Sequence, residues 1–142
     1  MFNATHFHPM LVHFPIALIT VGFVFDLVSM FKNRDPCLSR AGFWLGAVGM
    51  AGAVVAYGTG YFLTNPMEGD PGIMREKHQF FATIALVAII VATLSRITAM
   101  YLEKNTPGVR YSLLGLFFIA FVFIVITGYL GGTLVMDYMI GL

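Results

Sequence analysis

The stretch HFHPMLVHFPIALITVGFVFDLVSMF, residues 6–31, opens with three histidines and continues as an apolar run broken by one charge, Asp26. From about Met10 to Phe31 the run is long enough for a bilayer-crossing helix, which needs about 20 apolar residues. Three further stretches share its character. Residues 42–63 and 111–135 carry no charge, and residues 78–101 carry only Arg96. Charged residues make up only 11% of the chain, against about 25% in a soluble domain. These features predict an all-α polytopic membrane protein. It is one domain over residues 1–142, a four-helix transmembrane bundle running up-down-up-down. The helices are expected at about 10–31, 42–63, 78–101 and 111–135. No internal sequence repeat is evident.

The loops fix an expected orientation. The first and third hold Lys32, Arg34, Arg40, Lys104 and Arg110, whereas the opposite side holds only Arg75 and Lys77. Basic loops stay in the cytoplasm. Both termini, the second loop and all four histidines are then expected outside, on the periplasmic face of a bacterial inner membrane. Residues 1–31 contain no Lys or Arg, so no signal-peptide n-region is seen and the first segment is expected to be retained. A net charge of +1 leaves no basic stripe for nucleic acid. The single Cys37 cannot form an intrachain disulfide.

The histidines carry the chemistry. His6, His8 and His13 crowd the start of the first segment, and His78 opens the third. Segments one and three start on the same side, and in such a bundle they are diagonal partners. A histidine just inside each N-terminus then points across the core at one level, and ligand sites in bundles are built from facing helices. Two imidazoles so placed can clamp a porphyrin from both faces. His13 and His78 are therefore the expected axial ligands of a metal, a haem iron. His8 is expected as a supporting partner or alternative ligand, because it and His13 diverge by roughly 140° on a regular helix. A kink or restart at Pro15 is the route by which His8 would fold back over the site. A copper or zinc site from His6, His8 and His13, to which Asp137 could add, is the rival use of these residues.

Other features are read both ways. Gly42, Gly46, Gly49, Ala53, Ala56 and Gly60 form a small-residue stripe, expected first as a helix-packing seam. Gly131 and Gly132, near Gly128, lie at the histidine level and are expected to give a cofactor ring clearance, or to form a homodimer seam. Arg75 and Lys77 are candidate partners for haem propionates or ordinary loop charges. Asp26 and Arg96 lie at similar depth and are expected to form a structural ion pair. No nucleophile triad, phosphate loop or paired catalytic carboxylates are present, which weakens a hydrolase or transferase reading.

HPMLVHFPIAL at 8–18 resembles the opening signature of the DUF2231 family of small four-helix bacterial membrane proteins. The resemblance extends to His78 at the start of the third helix and to a GGxLV element at Gly131, Gly132, Leu134 and Val135. Family members often carry an Asn shortly after the third-helix histidine; here the run is HQFFAT, and no role of that Asn carries over. Similar domains occur fused to cytochrome c-like or Rieske-like modules, which implies redox work at the membrane. The combined expectation is a haem b electron-transfer protein or subunit at the outer face, with one haem per chain. The donor would be quinol or a membrane oxidoreductase subunit, and the acceptor a periplasmic cytochrome. The alternative is a cofactor-free structural or transporter subunit.

Overall fold

The computed structural model describes residues 7–32, 35–63 and 68–138. Among the described residues the chain forms four helices: α1 (Phe7–Phe31), α2 (Pro36–Leu63), α3 (Gly69–Tyr101) and α4 (Pro107–Tyr138). Each is long and apolar enough to cross a membrane, and the protein is an all-α four-helix membrane bundle. The helices overrun the apolar segments because helix ends are set by capping rather than hydropathy. Asp35 Oδ1 accepts the backbone N–H groups of Cys37 at 2.8 Å and Leu38 at 3.3 Å, so α2 starts at Pro36 rather than at residue 42. Thr106 Oγ1 accepts the N–H of Val109 at 3.4 Å, and α4 starts at Pro107. In both cases a side-chain N-cap precedes a proline at the first helical position. At the other end of the bundle α3 begins at Gly69, nine residues before His78.

α1 packs most extensively on α2, and α3 on α4; the α1–α4 and α2–α3 seams are looser. α1 and α3 therefore face one another across the diagonal. The small residues of α2 lie against α1. A Cβ on Gly49 would meet Ile19 Cγ1 at 2.8 Å, and one on Gly42 would meet the carbonyl oxygen of Gly22 at 2.9 Å. Such close backbone approach is the use that membrane helices make of small residues. Ile19 and Ile89 fill the centre, 0% and 1% exposed. Phe23 stacks on Phe121, with ring centroids 4.9 Å apart.

The two hairpins, α1–α2 and α3–α4, repeat one plan that the sequence hides. Pro15, Ile19, Gly22 and Phe23 are buried on α1, and on α3 so are Ala85, Ile89, Ala92 and Thr93, each 70 residues later. Gly46, Gly49 and Ala53 are buried on α2, matched by Phe117, Ala120 and Ile124, each 71 residues later. The caps match too: Asp35 and Pro36 with Thr106 and Pro107. Few identities survive because the halves complement one another rather than copy one another. A Cβ on Gly46 would lie 3.0 Å from Cζ of Phe117, its own counterpart.

Candidate functional site: a histidine pair between the hairpins

His8 lies in the first turn of α1. Its Nδ1 is 3.0 Å from the carbonyl oxygen of Ala56 and 3.1 Å from Oγ1 of Thr59. Thr59 in turn donates its hydroxyl to the same carbonyl at 2.8 Å. A carbonyl can only accept, so the proton of a neutral His8 is assigned to Nδ1 and the lone pair to Nε2. His78 repeats the arrangement on α3, with Nδ1 3.1 Å from the carbonyl oxygen of Thr127. The two acceptors, Ala56 and Thr127, occupy equivalent places 71 residues apart.

One turn beyond each acceptor stands a glycine. A Cβ on Gly60 would lie 2.8 Å from Cε1 of His8, and one on Gly131 would lie 3.1 Å from Cε1 of His78. Each glycine lets its imidazole rest on the neighbouring helix backbone. The two rings meet edge to face, with centroids 6.3 Å apart and planes at 78°. The result is two half-buried imidazoles on opposite helices, each held through Nδ1 and each keeping Nε2 as an acceptor. Backbone-anchored Nδ1 protons of this kind also fix the tautomer of metal-binding histidines.

The partner of His78 is thus His8, not the expected His13. His13 is exposed, and its Nδ1 is 2.8 Å from the carbonyl oxygen of Pro9, one turn back on its own helix. α1 runs unbroken through Pro15, so the five-residue spacing turns His8 inward and His13 outward. Gly131 lies against His78, while Gly132 is exposed, with open space where a Cβ would be. Arg75 stands three residues before His78 on α3 and is half-buried. His6 lies outside the described residues. Met10 and Asp137 are both exposed, and among the described residues no three His, Cys, Asp or Glu side chains converge as a metal-binding group.

The far end of the bundle is locked by charge. Arg96 pairs with Asp26, which is 7% exposed, and donates to the carbonyl and hydroxyl oxygens of Ser39 at 2.6 and 2.9 Å. Its guanidinium also lies 5.6 Å from the centre of the Phe43 ring. Asp26 and Arg96 are themselves equivalent positions, 70 residues apart. Ala56, Thr59 and Thr127 were not singled out as site residues from sequence. Two of them act through backbone carbonyls, which no side-chain pattern reveals. The 71-residue offset linking Gly60 to Gly131 is the signal that leads to them.

No curated protein and no solved structure matches the chain. The model of a family described as predicted membrane protein, DUF2231, matches residues 4–142. With its four membrane-length helices and its matched histidines, the chain belongs to the DUF2231 family of membrane proteins.

Proposed function

We propose that the protein binds one haem b between its two hairpins and relays single electrons at the outer face of a bacterial inner membrane. His8 and His78 would hold the haem iron in this reading. The observation that carries it is the pairing of two imidazoles whose Nδ1 atoms are bound to backbone carbonyls and whose ring centres are 6.3 Å apart. Two neutral imidazoles that meet between the hairpins are a donor set that suits a haem iron, which they would hold through Nε2.

Haem supplies the one-electron couple, and the chain supplies binding, orientation and burial. The carbonyls of Ala56 and Thr127 hold the rings in one tautomer and make Nε2 a better donor. Gly60 and Gly131 keep each ring close to the flanking helix. Arg75, one turn outward from His78, would pair with a propionate. The Asp26–Arg96 pair closes the opposite end and keeps the two hairpins in register. The bias of Lys and Arg toward the first and third loops supports an outward-facing histidine end. Electrons would arrive from quinol or a membrane oxidoreductase subunit and leave to a periplasmic cytochrome.

A pyridine haemochrome assay on detergent-purified protein tests the reading. Close to one haem b per chain is expected. Protein that stays colourless after expression with added haem contradicts it and favours a structural subunit.

A further inference from the structure

Of the three described histidines, His13 alone stands outside the pair. Its Nδ1 is held by the Pro9 carbonyl, so Nε2 is left as a bare acceptor. The ring is exposed on the outside of the bundle. It lies five residues inward of His8, about 7 Å deeper along the helix. A polar group at membrane depth on the lipid side is costly unless something meets it.

The internal repeat shows what is missing there. On the α2–α3 seam the hydroxyl of Tyr57 is hydrogen-bonded to Oγ1 of Thr83 at 3.0 Å. The equivalents on the α1–α4 seam, 71 and 70 residues away, are Gly128 and His13. A Cβ on Gly128 would contact Ile16 Cδ1 at 3.2 Å, so this glycine faces α1. His13, three residues before Ile16, lies on the same side of that helix. One turn further out, Gly132 has no neighbour within 4 Å of a Cβ position. One seam is thus bridged by a phenol. The other offers an exposed imidazole acceptor, with Gly128 covered by Ile16 and open space only at the Cβ position of Gly132.

We infer that the α1–α4 seam binds a lipid-soluble quinol, with one hydroxyl donating to His13 Nε2 and the ring over the open face at Gly132, beside Ile16. The seam opens to lipid, so the ligand has an apolar body. Nε2 accepts, so the ligand carries an O–H. The group that fills the matching place on the other seam is the phenol of Tyr57, and a quinol ring is a phenol with a second hydroxyl. The use of this ligand as an electron donor rests on the haem reading; its binding does not.

The test uses the full chain in lipid nanodiscs, titrated calorimetrically with a decyl-benzoquinol under argon. Saturable binding near one per chain is expected, weaker for the corresponding quinone, which has no donor. His13→Phe should weaken binding about tenfold, the worth of one hydrogen bond. Gly132→Tyr should abolish binding by placing a phenol where the quinol ring sits. Unchanged helicity and elution establish that both variants fold. Binding no greater than to empty nanodiscs, or equal in all three proteins, overturns the inference. So does a dimer that covers the seam and is broken by Gly132→Tyr without any quinol bound. Haem content of the same samples separates the two readings. Colourless protein that binds quinol overturns the relay alone, and haem-loaded protein that ignores quinol overturns the seam alone.

Discussion

His8 and His78 are equivalent residues of two hairpins, and each is bound through Nδ1 to a carbonyl on the other helix of its own hairpin. The pairing of their rings is therefore a contact between halves, made by groups that each half has already oriented. A site built this way is pre-organised. Most of the cost of fixing the rings falls on hairpin formation rather than on ligand binding.

The glycines under the rings give the first prediction. In Gly131→Leu the new side chain begins 3.1 Å from Cε1 of His78, so the ring must move and its bond to Thr127 must lengthen. Overpacking of this kind costs about 1–3 kcal/mol. Gly60→Leu does the same to His8. Each variant should remain helical but lose most of its haem on gel filtration, read as the Soret-to-protein absorbance ratio. Full haem retention in both would show that the close approach is irrelevant to the site.

At the opposite end, Asp26→Asn should destabilise the bundle by about 3 kcal/mol, because it leaves the Arg96 guanidinium largely buried without its counter-charge. The double variant Asp26→Leu with Arg96→Met should recover most of that loss, since a buried pair replaced by apolar groups is often neutral. Denaturant unfolding in detergent, followed by helical circular dichroism, reads both. Equal losses in the single and double variants would mean that the pair contributes net stability.

The orientation is testable through Cys37, which is exposed near the start of α2. It is the chain's single cysteine and lies beside the basic first loop. A membrane-impermeant maleimide should label it in inverted membrane vesicles and not in intact spheroplasts. Labelling in spheroplasts would turn the histidine end to the cytoplasm.

Much of the fold was legible because four apolar runs of bilayer length admit few alternatives. The ion pair was legible because Asp26 and Arg96 are single charges at matching depth. The histidine end was read less well. The diagonal relation of α1 and α3 is visible in the sequence, but depth favours His13 over His8, which is expected to reach the site only through a kink or restart at Pro15. α1 continues through Pro15, and 100° per residue then decides which ring turns inward. The repeat is hidden in the sequence for a related reason. Its conserved content is burial, caps and carbonyl acceptors, and only a few positions, such as the two histidines, the prolines at 36 and 107 and the glycines at 60 and 131, keep their identity.

The most direct test of the account is the reduced-minus-oxidised absorption spectrum of purified wild type beside His8→Ala, His13→Ala and His78→Ala. The account predicts a sharp low-spin α-band for wild type and for His13→Ala. It predicts loss of haem or conversion to high spin for His8→Ala and for His78→Ala alike. A low-spin spectrum that survives His8→Ala and is lost in His13→Ala would contradict it, as would wild-type protein with no haem spectrum.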